Sequence, residues 1–337
     1  MGRGAALTRA ALVTPLSGPL AEYGRAGAVA LELWAGWSGA RLTVHDAHPD
    51  AAAAAAAAER ERPDILFGPY GSGPARAVVA ATSRLVFNHG GARVGPAPNL
   101  IDVLAPAETY FEGAVEVVHA ADPGVRTLRV AHARTGFADT VAAGAAAAGR
   151  RAGLAVSTTA LPAAPPAGDL LLVAGAFADE RDAARRLLPG PWRAAGFVGA
   201  GVDEVLAELG PLREGLLGPA QWLAEAAPEP DEGPPAGRFV AAYRERAGAE
   251  PPYPAAQAFA AGVVAGRCVR DAGERSDAAL LAAARSLDCT TLFARFRLDP
   301  SSGVQTGHRV LTVQWQDGAR RVVWPPERAR AALRHPL

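Results

Sequence analysis

The chain has 337 residues, with 34 basic residues balancing 34 acidic ones for a net charge of +0; it is too long for one ordinary core and suits two lobes of about 150 residues each. Half of it is hydrophobic and 20% is charged, as in a folded globular protein, and the charge balance withholds the positive surface that nucleic-acid binding requires. Every basic residue is arginine, which excludes Schiff-base and pyridoxal enzymes, P-loop phosphate binding and protein kinases, all of which need a lysine.

The N-terminal residues lead into Ala10-Ala-Leu-Val-Thr-Pro-Leu-Ser without the apolar core of a signal peptide, so no export signal is expected. No run approaches the ~20 apolar residues of a membrane helix. Short apolar β-type runs at 11–13, 42–44, 65–67 and 85–87 then alternate with alanine-rich helical stretches at 21–37, 51–60 and 75–84. That alternation predicts βαβ units and a mostly parallel sheet covered on both faces.

After Pro106 the pattern restarts. Helices are expected over 110–121, 137–151 and 178–188, and strands over 127–132, 154–158, 169–174, 196–198 and 215–221. The acidic, proline-rich residues 226–235 form a linker by composition. Helices over 237–247, 255–271 and 276–286 follow, then strands over 293–299, 310–315 and 321–324, with Asp317-Gly318 as a hairpin turn. The three late helices have no strands of their own to cover, so they must pack on a sheet made earlier. The chain therefore crosses between its lobes more than once.

The sharpest local feature is Gly68-Pro-Tyr70-Gly71-Ser72-Gly73-Pro, a strand ending in a glycine-rich turn that opens a helix. A hydroxyl and free helix amides converge there, which makes a ready anion site. The glycine spacing does not fit a dinucleotide fingerprint, and no acid lies between Gly68 and Asp102 to hold a ribose. The next strand delivers Asn88-His89-Gly90-Gly91 to the same sheet edge, where glycines would let a ligand touch main-chain groups. Tyr23, Tyr70, Phe137, Phe177, Trp222 and Tyr253 all fall at strand ends or helix starts and could line a ligand cleft.

Other motifs carry less. His45-Asp-Ala-His48-Pro-Asp50 lacks a third strong metal partner and reads as a loop with Asp50 capping the alanine helix. Gly199-Ala-Gly201-Val-Asp203-Glu204 could face a ligand cation or cap a helix. Cys268 and Cys289 fit no zinc or redox spacing and read as two buried thiols, a single bridge between them being the alternative. No Gly-x-Ser-x-Gly elbow and no acid, base and nucleophile set is present, so no enzyme, cofactor or metal is expected.

Pro15-Leu-Ser-Gly-Pro-Leu-Ala-Glu-Tyr23-Gly, Gly68-Pro-Tyr-Gly-Ser72 and Asn88-His-Gly-Gly91 resemble the branched-chain amino-acid type of periplasmic binding protein. So do Gly218-Pro-Ala-Gln-Trp222, Pro252-Tyr-Pro-Ala-Ala-Gln-Ala-Phe259, Asp299-Pro-Ser-Ser-Gly-Val-Gln305 and Val313-Gln-Trp-Gln-Asp-Gly318, in collinear order along nearly the whole chain. The resemblance implies the α/β fold of a type I periplasmic binding protein, two doubly wound parallel-sheet lobes joined by three hinge crossovers. One lobe would take residues 1–106 plus 231–305, the other 107–230 plus 306–337. It implies a non-enzymatic substrate-binding component of an ABC transporter, extracytoplasmic and paired with a permease, closing by hinge motion on an amino acid, amide or short carboxylate. A cytoplasmic sensor with the same fold is the alternative.

By the same resemblance Ser72 takes a ligand carboxylate, and His89 and Gly91 offer a carbonyl and an amide. Tyr23, Phe137, Phe177 and Tyr253 are its aromatic walls. The acid that holds an ammonium in amino-acid binders aligns near Gly201, leaving Asp203 or Glu204 as substitutes. Residues 157–168 are short and proline-rich where the family carries a helix, which favours an amide or short carboxylate over an α-amino acid.

Overall fold

The structure is a computed structural model that describes residues 7–202 and 206–336. It separates into two compact units, one running to Ala105 and resuming over Ala227–His308, the other holding Pro106–Ala226 and the residues from Arg309 onward.

The first unit opens with β1 (Arg9–Thr14), α1 (Ala21–Ser38), β2 (Arg41–Asp46), α2 (Ala51–Arg60), β3 (Ile65–Phe67), α3 (Ser72–Ala81), β4 (Val86–Asn88) and β5 (Leu100–Asp102). The strands form one parallel sheet in the order β2-β1-β3-β4-β5. β3 and β4 are buried along their whole length, as expected of strands covered on both faces. The alanine run is a helix because Asp50 accepts the N–H groups of Ala52 and Ala53, each at 3.0 Å. Its Ala54, Ala55 and Ala58 lie close against Ala11, Val13 and Leu66.

The second unit contains α4 (Glu112–Ala121), β6 (Thr127–His132), α5 (Gly136–Arg151), β7 (Ala155–Ala160), β8 (Leu170–Ala174), α6 (Phe177–Leu187), β9 (Ala194–Phe197) and β10 (Leu217–Ala220). The chain then returns to the first unit as α7 (Ala236–Ala247), α8 (Tyr253–Ala272), α9 (Asp277–Ser286), β11 (Asp288–Thr290) and β12 (Arg295–Arg297). The expectation that these helices cover an earlier sheet holds, since α8 packs along α1 and over β4.

The chain ends in the second unit with β13 (Leu311–Gln316) and β14 (Ala319–Trp324). That sheet runs β14-β13-β10-β9-β8-β6-β7, and its last two strands form the antiparallel hairpin expected around Asp317-Gly318. The reason lies in the turn, where Asp317 and Gly318 both take positive φ, 55° and 75°, so the strands reverse in two residues.

Three expectations need correction. α3 begins at Ser72 rather than residue 75, because Gly71 supplies φ +97° and Pro74 is tolerated in a first helical turn. β5 and β11 were not foreseen, being three-residue strands defined by their partners rather than by any run of their own.

Both sheets reverse their winding beside one strand. In the first unit this falls between β1 and β3, in the second between β6 and β8. Ligands of open α/β sheets sit at such switch points, outside the carboxyl ends of the strands.

Candidate functional site

In the first unit the turn after β3 and the turn after β4 are stitched together beyond the strands. Tyr70 bridges Gly90, and the Gly71 N–H donates to the Gly90 carbonyl at 2.9 Å. This close approach dictates glycine, since a Cβ on residue 90 would lie 2.5 Å from the Tyr70 Cα. The same crowding holds at Gly91, whose Cβ would meet that of Ala75 at 2.5 Å.

Asn88 is fully buried and holds this turn from inside. Its Oδ1 accepts the N–H groups of Gly90 and Gly91 at 3.2 and 2.9 Å, while its Nδ2 donates to the Gly91 carbonyl and to Asp102. The side chain expected at a ligand is therefore spent on the backbone, and what the turn offers outward is main chain. His89 is also fully buried, with its ring against Gly27 and neither nitrogen hydrogen-bonded to protein. Burial pushes its pKa down to about 4, so the imidazole is neutral near pH 7.

Ser72 is the first residue of α3, and its Oγ accepts the Arg93 N–H at 3.2 Å. A hydroxyl bonded in this way keeps its proton for an external acceptor such as a carboxylate or amide oxygen. Beside it three tyrosines converge. Tyr23, in the first turn of α1, stacks on Tyr70 with ring centroids 4.8 Å apart, and Tyr70 shares a hydroxyl–hydroxyl hydrogen bond with Tyr253 at the start of α8. Burial raises the Tyr253 phenol pKa above its ordinary value, so the group stays protonated. A cavity of about 500 Å³ lies by the first turn of α3, walled by Pro15, Leu20, Pro49, Pro74 and Ala77; Ser72, the three tyrosines and residues 88–91 are not among its walls.

The second unit repeats the arrangement. Phe137 opens the helix after β6, and Phe177 opens the helix after β8. They hold at that switch point the places that Tyr23 and Tyr70 hold at the other. Phe137 packs edge-on against Tyr110 at 5.8 Å, and Phe177 rests on the core around Leu171, Val173 and Phe197. A cavity of about 360 Å³ lies on the same edge, between Thr135, Pro162 and Asp179.

Two expected contributors stand differently. Trp222, just past β10, is only 4% exposed and leaves little surface for a solute. Gly201 folds back over β10, where a Cβ would overlap the Pro219 carbonyl oxygen. The absence of an acid at residue 201 is thus fixed by backbone packing. Asp203 and Glu204 lie outside the described residues. Among the described residues no group of acids, histidines and cysteines could hold a metal ion, and no helix is long and apolar enough to cross a membrane.

A family profile described as periplasmic binding protein matches residues 192–320. Among solved structures, a leucine-, isoleucine-, valine-, threonine- and alanine-binding protein from Brucella ovis in its closed conformation aligns with a TM-score of 0.78 at 14% identity, over 98% of each chain. The fold is that of a type I periplasmic binding protein. A leucine-binding protein from Thermotoga maritima shares it, with a TM-score of 0.73, 17% identity, and 94% of this chain and 97% of that one covered. A solute-binding protein of an ABC transporter from R. palustris, solved with benzoate, shares it as well, with a TM-score of 0.71, 18% identity, and coverage of 94% and 96%. No curated protein sequence matches.

Two features of this binding-protein fold escaped the sequence. Tyr70 and Tyr253 are 183 residues apart, and no local signal joins them. Glu180, a fully buried acid in the first turn of α6, reads in sequence as one more surface charge. Its only signal was its place three residues after Phe177, in a turn already singled out.

Proposed function

We propose that the protein is a solute receptor, the substrate-binding component of an ABC transporter that acts outside the cytoplasm with a membrane permease. Its ligand is a small molecule with a polar head and an apolar body: a branched-chain amino acid, an amide or a short carboxylate. The receptor closes on it by hinge motion and performs no reaction on it. One observation carries this reading, the matched placement of Tyr23 and Tyr70 at one switch point and of Phe137 and Phe177 at the other.

The polar head is held by the Ser72 hydroxyl and by main-chain groups of the turn that Asn88 fixes. Each such bond contributes ~0.5–1.5 kcal/mol net, or up to ~3 kcal/mol where the ligand is charged. The neutral, buried His89 and the protonated Tyr253 add no competing charge. Structural neighbours that bind leucine and benzoate support both aliphatic and aromatic bodies on this fold. The benzoate-bound neighbour is a solute-binding protein of an ABC transporter, which favours transport over the sensor alternative.

A thermal-shift screen tests the reading, using leucine, isoleucine, valine, butyramide, benzoate and short carboxylates against the wild type and Ser72→Ala. At least one solute is expected to raise the wild-type Tm by several degrees, and Ser72→Ala is expected to weaken that shift. A flat response across the panel, repeated by calorimetry, would sink the receptor; an equal response in both proteins would sink only the role of Ser72.

A further inference from the structure

Glu180 is the only carboxylate among the described residues in the fully buried set. Its Oε1 accepts the Gly175 N–H at 3.0 Å, its Oε2 accepts the Gly199 N–H at 2.6 Å, and the Val198 N–H is also directed at it. Gly175 follows β8 and Gly199 follows β9, adjacent parallel strands in which Val173 pairs with Phe197. One side chain therefore clips together two successive turns on the carboxyl edge of this sheet. Phe177 lies within the clipped segment, whose other end is tied by the Ala176 N–H donating to the Asp179 carboxylate at 3.2 Å.

Burying an acid, which burial here keeps mostly protonated near pH 7, is costly unless its oxygens are hydrogen-bonded, and an apolar side chain would fill a core at lower cost. An acid here supplies what an apolar residue cannot, two acceptors that fix two backbone turns in one geometry. We propose that Glu180 is a positioning residue for solute capture. It holds the Phe177 turn and the 198–201 turn in the arrangement that receives the ligand, without touching the ligand itself. The inference rests on the receptor reading above.

Glu180→Gln is the direct test, because it keeps the shape, retains one acceptor and sets an amide donor against a backbone donor. Glu180→Met removes both acceptors. Val118→Ala, a buried truncation in α4 of the same unit, serves as a control for general loss of stability. Each protein is titrated calorimetrically with whichever of leucine, butyramide and benzoate the wild type binds most tightly, well below its own Tm. The backbone resonances and amide exchange of Gly175 and Gly199 are followed in parallel.

Both Glu180 variants are expected to weaken binding at least tenfold and to lose protection at Gly175 and Gly199, while Val118→Ala stays within twofold of the wild type. Wild-type affinity in the Glu180 variants, or an equal loss in Val118→Ala, would overturn the proposal and leave the receptor standing. A wild type that binds none of these three probes and none of the rest of the screening panel would remove both together.

Discussion

The hydroxyls of Tyr70 and Tyr253 meet in a hydrogen bond that ties the turn after β3 to the first turn of α8, and Tyr23 stacks on the Tyr70 ring. This tyrosine group joins three elements at the first unit's switch point. Removing one hydroxyl while keeping the ring isolates the bond. Tyr253→Phe is expected to lower stability by about 1 kcal/mol. In a double-mutant cycle with Tyr70→Phe the two losses should not add, because both delete the same interaction. Urea unfolding of the four proteins measures this, and strict additivity would argue against the bond.

Crowding at the turn makes a second prediction. Gly90→Ala places a methyl group against the Tyr70 backbone, which cannot swing aside, and should cost about 1–3 kcal/mol. Gly73→Ala, in the first turn of α3 with no other element near its Cβ, should cost less, under about 1 kcal/mol, the penalty being that a side chain before Pro74 disfavours helical backbone. Thermal denaturation of the pair distinguishes backbone crowding from a general intolerance of this loop.

Asn88 and Asp102 supply the third. Asn88→Asp would set a carboxylate where Nδ2 now donates to Asp102, so a buried acid would face a half-buried one. The variant should be strongly destabilised at neutral pH and recover partly as acid protonates the pair. A variant whose melting temperature equals that of the wild type at pH 7 would contradict the hydrogen-bond assignment.

Stability against pH should have two limbs. His89 has its pKa lowered from 6.5 to about 4, so the unfolded chain binds the proton more readily and the His89 contribution to stability falls as pH drops from about 6.5 towards 4. The loss is on the order of 3 kcal/mol. Glu180 has its pKa raised by burial from 4.5 to about 8, so the folded chain binds the proton more readily and this contribution falls as pH rises across that interval; the two oppose each other between about pH 4.5 and 6.5, which leaves net losses below and above that window. His89→Leu should flatten the acid limb and Glu180→Gln the alkaline limb, as read from melting temperatures between pH 4 and pH 9.

The two thiols offer a direct check of burial. Cys268 and Cys289 are free and buried, and burial pushes both pKa values up to about 12. Since the thiolate is the reactive form, neither should react with a thiol reagent within minutes in the native protein, and both should react in denaturant. A fast native thiol would show that the α8 and β11 region opens readily.

The sequence by itself determined the alternation of strands and alanine-rich helices, because local periodicity and helix capping suffice for that. Asp50 before the alanine run and Asp317-Gly318 between the last strands act on their immediate neighbours, and both did what their chemistry implies. It also indicated the two glycine-rich turns at 68–73 and 88–91, since glycine clusters at strand ends have few other uses.

What only the tertiary structure decided was the role of each polar side chain in those turns. Asn88 faces inward to the backbone, His89 is buried without a protein partner, and Gly201 is glycine because a neighbouring strand passes too close for anything larger. Glu180 and the bond between Tyr70 and Tyr253 depend on contacts between elements far apart in the chain. Direction, burial and long-range partners are properties of packing, and no window of neighbouring residues contains them.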